Sequence, residues 1–230
     1  MSLLSVRKQE IIKEIERDIN RGSIVDGVYK NATFTYNKST FTITSDVYDN
    51  AGNRTGSCIT KNGKPYSGSI VSNGRYRNVA LYNGASLMEH QLLAVCLIPG
   101  ATDELLDETT NNIINHKTIA RASVDARESK AEYDKQVEMC AWGGEEPDES
   151  LIANPPIPPC DVRDLEICTS AENYAHGAFI KEVGLYDYPI LAHDINLLKK
   201  FMINENQVKY ILNIYLTYGA EVMNRMFIGC

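Results

Sequence analysis

Ile113-Ile114-Asn115-His116-Lys117 is the stretch on which the reading of this chain turns. Two β-branched residues run directly into an amide and an imidazole, so a short strand is predicted to carry Asn115 and His116 to its end. An imidazole takes up a proton near neutral pH, and an amide oxygen beside it is a hard donor that suits a hard cation. An Asn-His pair alone is also ordinary loop chemistry, and the segments on either side decide between the two.

Upstream, residues 86–99 carry Leu87, Gln91, Leu92, Val95 and Cys96 on one helical stripe, and the helix is predicted to span 85–99 and stop at Pro99-Gly100. His90 lies near its start, either as a core or capping histidine or as part of a site. Before it, residues 28–85 are rich in Thr, Val, Ile, Phe and Tyr, with strands predicted at 32–36, 40–45, 57–60, 67–71 and 77–82. Asn62-Gly63 and Asn73-Gly74 suit tight hairpins, because type I′ turns need positive φ at both central residues. Lys61, Lys64, Arg75 and Arg77 cluster around these turns, as a basic hairpin lying along phosphates or as a solvated surface. The N-terminal segment repeats Leu4, Ile11, Ile12, Ile15 and Ile19 at helical spacing, which predicts a packing helix over 3–20.

Downstream, residues 120–137 read as a charged helix, followed by an acidic loop and the stiff stretch Asn154-Pro155-Pro156-Ile157-Pro158-Pro159. Residues 162–169 form a strand candidate that runs into Ser170-Ala171-Glu172-Asn173, a helix start capped by Thr169 or Ser170 with an acid in its first turn. Asn173 and His176, three apart, share a face of that helix. Two more helices are predicted at 194–202 and 207–218 around a short turn, as a packing hairpin or a helix-turn-helix.

The four units read in this way are an N-terminal helix (1–27), a β-rich region (28–85), a central region (86–180) interrupted by an insertion (117–161), and a helical C-terminal region (181–230). A net charge of −7 and a pI near 5.2 argue against a generally basic nucleic-acid binder while allowing a local basic face. Six cysteines without a CxxC spacing predict reduced thiols rather than a zinc site or disulfide framework. No secretory pattern and no long apolar run are present, so the reading is a cytoplasmic protein with no membrane association.

In order, the pieces are strand, loop, strand and helix, with Asn115-His116 at the end of the first strand and Asn173 on the helix. At four places this chain resembles the HNH endonuclease family, in its phage and intron-encoded homing-type branch. Tyr76-Arg77-Asn78-Val79-Ala80-Leu81-Tyr82 looks like that family's strand before the site, and His90 to Pro99 is similar to its H-R-L-V-A helix. Ile114-Asn115-His116-Lys117 looks like its V-[DN]-H turn, and Asp164 to His176 is similar to N-L-E-W-V-T-x-x-E-N-x-x-H. The resemblance implies an α+β protein with a ββα-metal core and a hydrolase that cuts double-stranded DNA, host-cytoplasmic if the chain is phage-encoded. It implies one Mg²⁺ or Mn²⁺ ion, His116 as general base, Asn115 and Asn173 as metal ligands, and Asp164 bracing the metal loop with His90 and His176 in support.

The chain departs from the family pattern. Asn115 stands where many relatives carry Asp, Lys117-Thr118-Ile119-Ala120 replaces Asp-Gly-Asn, Asp164 replaces Asn, and 117–161 replaces a short loop. These departures motivate two alternatives: a non-catalytic DNA-binding protein on a degenerate HNH scaffold, and a virion or interaction protein suggested by the acidic charge.

Overall fold

A computed structural model describes residues 4–71, 76–143, 146–152, 160–202 and 205–227. Helix α1 (Val6–Asp18) starts where the Ser5 side chain accepts from the Lys8 N–H, and it buries Ile11, Ile12 and Ile15. It is shorter than the predicted 3–20 because Ile19 turns to extended backbone and passes the chain to strand β1 (Asn20–Arg21). The ribbon of β2 (Ile24–Val25) and β3 (Val28–Tyr29) follows, then β4 (Asn31–Tyr36), β5 (Ser39–Tyr48), β6 (Arg54–Lys61) and β7 (Lys64–Pro65). The main sheet has the order β1-β4-β5-β6-β7, and every pairing in it is antiparallel.

Alternation sets the two faces of this sheet. Ala32, Phe34, Tyr36, Phe41, Ile43 and Ile59 point inward, while Thr33, Thr35, Thr40, Thr42 and Thr60 lie on the other side. Phe34 and Phe41 stack across β4 and β5 with ring centroids 5.1 Å apart. Asn62 and Gly63 both have positive φ (51° and 76°) and close the β6–β7 hairpin, as a type I′ turn requires. The Asn73-Gly74 turn lies outside the described residues.

A smaller sheet follows, with β8 (Ser69–Ile70), β9 (Arg77–Tyr82) and β10 (Ala85–Met88) in the order β10-β9-β8. Here the prediction of a helix over 85–99 is corrected. Asn83 and Gly84, both at positive φ, fold Ala85–Met88 back onto β9, so Ala85 and Leu87 are buried by strand alternation. Helix α2 (Glu89–Leu97) begins only afterwards and buries Leu92 to Leu97 without interruption, as a helix at the centre of a core does. The inner face of the main sheet, α1, α2 and the short α3 (Ala101–Leu106) form one hydrophobic core.

Strand β11 (Asn112–His116) and helix α4 (Arg121–Cys140) come next, then 3-10 turns at Glu149–Ile152 and Val162–Asp164. Strand β12 (Leu165–Thr169) leads directly into helix α5 (Ser170–Val183). The predicted strand at 162–169 therefore starts at Leu165; Asp161 accepts from the Arg163 N–H at 3.0 Å and winds Val162–Asp164 into the turn. The Ser57 N–H donates to the Cys160 carbonyl at 3.0 Å, and Arg163 donates to Asp46 at 2.8 Å, which pins this entry onto β5 and β6.

After α5, a 3-10 turn at Ala192–Asp194 precedes α6 (Ile195–Phe201) and α7 (Glu205–Phe227). Gly219 breaks α7 with non-helical angles (φ 77°, ψ 169°), one residue beyond the predicted end at 218, and the chain then continues as helix to Phe227. Phe179, Ile180, Leu198, Ile211, Leu212, Tyr215 and Met223 belong to a second core that joins α5, α6 and α7. The molecule is mixed α+β, and among the described residues no helix is long and apolar enough to cross a membrane.

Candidate functional site

Strands β11 and β12 pair antiparallel in unbroken register from Asn112↔Thr169 to His116↔Leu165, so the insertion between them leaves the pairing intact. Helix α5 packs on both strands, which makes the local order strand, strand, helix. Its first turn is fixed by a reciprocal cap. The Thr169 hydroxyl oxygen accepts from the Glu172 N–H at 3.2 Å, and the Glu172 carboxylate accepts from the Thr169 N–H at 2.8 Å. These hydrogen bonds hold the Glu172 carboxyl below the usual carboxylate range.

Asn115 is buried, and its Nδ2 donates to Glu166 Oε1 at 2.8 Å across the strand pair. The same Glu166 oxygen accepts from the Ala192 N–H at 2.7 Å, and His193 Nδ1 lies 3.8 Å from the other oxygen. His116 ends the strand with its Nδ1 3.7 Å from Asp164 Oδ2. Asp164 also grips the chain just beyond His116: its Oδ1 accepts from the Thr118 N–H at 3.0 Å, and its carbonyl accepts from the Lys117 N–H at 2.8 Å. The Lys117 and Ile119 carbonyls in turn accept from the Ile190 and Asp187 N–H groups, at 3.0 and 3.1 Å.

The His116 ring also packs against two aromatic side chains. Its Nε2 is buried and makes no hydrogen bond. The His90 ring meets His116 edge-on at 5.5 Å, the Tyr76 ring stacks at 6.2 Å, and Tyr76 and His90 meet at 5.0 Å. Burial, with added repulsion from the charges on His116 and Lys8, pushes His90 down to about 3, so its ring is neutral at ordinary pH. Burial also raises the neighbouring Glu89 carboxyl, opposed by Arg77 and His116.

Asn173 stands half-buried in the first turns of α5, and among the described residues no hydrogen bond joins its side chain to Asn115 or His116. His176, one turn further, is fully buried with neither ring nitrogen in a hydrogen bond of normal geometry. Burial lowers its pKa, while Glu166, the backbone at Ile190 and Lys117, and Asp164 oppose the shift. The structure thus gathers Asn115, His116, Asp164 and His90 around one strand end, with His176 close to Asp164 and Glu166.

The four basic residues are placed differently. Lys61 donates to the Leu81 carbonyl at 3.2 Å and covers the Phe41 and Tyr66 rings, on the core side of its strand. Lys64 is exposed on β7, the Arg77 charge acts on Glu89, and Arg75 lies outside the described residues.

Sequence reasoning missed Glu166 and the cluster of the Tyr76, His90 and His116 rings. The signal for Glu166 was a lone acid between Leu165 and Ile167, since a carboxylate inside a half-buried strand needs partners. Among the described residues, no group of three or more His, Cys, Asp or Glu side chains is arranged to hold a metal. The oxygen donors on these elements are instead amides and one carboxylate: Asn115 Oδ1, which carries no hydrogen bond among the described residues, and Asp164 beside His116, with Asn173 on α5. Such donors suit a hard divalent cation that keeps several waters. No family model, curated protein or solved structure matches this chain.

Proposed function

We propose that the protein is a metal-dependent DNA endonuclease of the HNH type, with His116 as the general base of phosphodiester hydrolysis. The observation that carries this reading is the strand–strand–helix unit β11-β12-α5 with Asn115 and His116 at the end of its first strand and Asp164 against His116. Because Nε2 is buried, the nitrogen left to meet solvent is Nδ1. Nδ1 takes a proton from the attacking water, the oxygen so freed bonds to phosphorus, and the bond from phosphorus to the leaving deoxyribose oxygen breaks. Asp164, 3.7 Å away, stabilises the imidazolium that results. Asn115 and Asn173 would hold a Mg²⁺ or Mn²⁺ ion, which supplies charge neutralisation at the phosphate and the leaving oxygen.

The test is cleavage of supercoiled plasmid DNA in Mg²⁺ or Mn²⁺. The parent is expected to nick or cut, and His116→Ala to lose roughly 10²–10⁴-fold in rate, the usual contribution of a positioned general base. Undiminished cleavage by His116→Ala would falsify the assignment.

One observation favours a second reading, a DNA-binding protein that has given up cleavage. Residues 117–119, where the family motif continues, are committed to backbone hydrogen bonds with Asp164, Asp187 and Ile190. Salt-dependent DNA binding without metal-stimulated cleavage would select it.

A further inference from the structure

Glu166 faces Asn115 across the β11–β12 pair, and its side chain is only 9% exposed. The Glu166 oxygen that faces Asn115 is the one that accepts from the Ala192 N–H, so the Asn115 group opposite it is the amide nitrogen. The 2.8 Å contact therefore fixes which way the amide lies: Nδ2 toward Glu166 and the carbonyl oxygen away from it. Glu166 is itself held. Its Oε1 also accepts from the Ala192 N–H at 2.7 Å, and turning it away would leave that donor unpaired. The turn at Ala192–Asp194 is anchored in its own right, with the Tyr215 hydroxyl donating to Asp194 at 2.9 Å and accepting from the Leu191 N–H at 3.0 Å.

We propose that Glu166 is a positioning residue that requires an amide at position 115 and holds its carbonyl oxygen toward the site. Asn115 is then a necessity of this strand pair. An aspartate there would set two carboxylates at hydrogen-bond distance, where both cannot ionise freely. The use of the carbonyl oxygen as a cation ligand rests on the nuclease reading; the pairing does not.

Two measurements separate these parts. The first is thermal melting at pH 8 of the parent, Asn115→Asp, Glu166→Gln and the double variant. Asn115→Asp is expected to melt lower by about 5 °C, the scale of a lost buried interaction in a chain of this size. Adding Glu166→Gln should recover part of that loss, because it removes one of the two facing carboxylates while its oxygen stays on the Ala192 N–H. The second is calorimetric titration with Mn²⁺. Glu166→Ala, which releases the amide, should weaken binding by roughly 10–100-fold, as removal of an outer partner of a metal ligand does. Glu166→Gln keeps an acceptor oxygen and should stay within about threefold of the parent.

If Asn115→Asp melts with the parent, or if Glu166→Gln and Glu166→Ala weaken Mn²⁺ binding equally, the positioning role is overturned. The equal loss would mean that Glu166 acts by its charge alone. A parent that binds no Mn²⁺ removes the nuclease reading instead. The requirement for an amide then stands if the double variant melts above Asn115→Asp, and falls if it does not.

Discussion

Helices α2 and α4 are the instructive contrast in this molecule. Helix α2 has nine residues and buries six in succession, whereas α4 has twenty and buries none. Local terms support α4: ion pairs one turn apart join Arg121 to Asp125 at 2.7 Å and Lys130 to Asp134 at 2.8 Å. Tertiary burial supports α2, whose sequence is too apolar to exist as a free helix in water. Length is thus a poor guide to structural weight. The short helix joins the sheet to the strand end that carries His116, while the long one extends from the fold with Trp142 at its tip 92% exposed.

The contrast would break first in the core. Leu93 is fully buried in α2, so Leu93→Ala should cost about 2–5 kcal/mol in chemical denaturation, the combined cost of lost burial and a residual cavity. A loss under about 1 kcal/mol would show that α2 can relax around the gap and is not the rigid centre described above.

A second effect, smaller and dependent on pH, comes from the histidine that α2 sends to the site. His90 is held neutral, down to about 3, whereas in the unfolded chain it takes a proton near its ordinary value. A lowered folded pKa gives stability that is complete above about 6.5 and is lost as pH falls from there toward 3. The slope from this one group is at most about 1.4 kcal/mol per pH unit. His90→Phe should therefore flatten the acid limb of the stability curve over that window, leaving the same-signed share of His176, whose pKa is also lowered by burial. An acid limb unchanged by His90→Phe would place the acid sensitivity elsewhere.

What the sequence showed, and what it hid, follows the same division between local and tertiary causes. The strands at 31–36 and 77–82, the Asn62-Gly63 hairpin and the Thr169–Glu172 cap rest on alternation, turn chemistry and neighbours three residues apart, and all were legible. The strand at Ala85–Met88 was not, because Leu87 fits a helical stripe as well as it fits strand alternation. The candidate site was legible only in its own segments. Asn115 and His116 announced themselves, but Glu166 needs the Ala192 N–H and an amide 51 residues away, and the ring cluster joins Tyr76, just before β9, to His90 of α2 and His116 of β11. Lys61 was read as part of a basic hairpin along phosphates or of a solvated surface; the strand register that sets its ammonium over the Phe41 ring was not legible from its segment.

The smallest effect is expected on α4, and its smallness is the informative part. Lys130→Ala removes an exposed pair at 2.8 Å and should change global stability by no more than about 0.5 kcal/mol. Because α4 buries nothing, its fraying need not propagate to β11 and β12, which pair without its help. Amide hydrogen exchange distinguishes the two helices directly. Amides in α4 should exchange by local opening, sped by Lys130→Ala, while those of α2 should exchange only through global unfolding and ignore the change. Protection of α4 amides equal to that of α2 would mean that the insertion is packed as part of the core, and the autonomy argued from its exposure would be wrong.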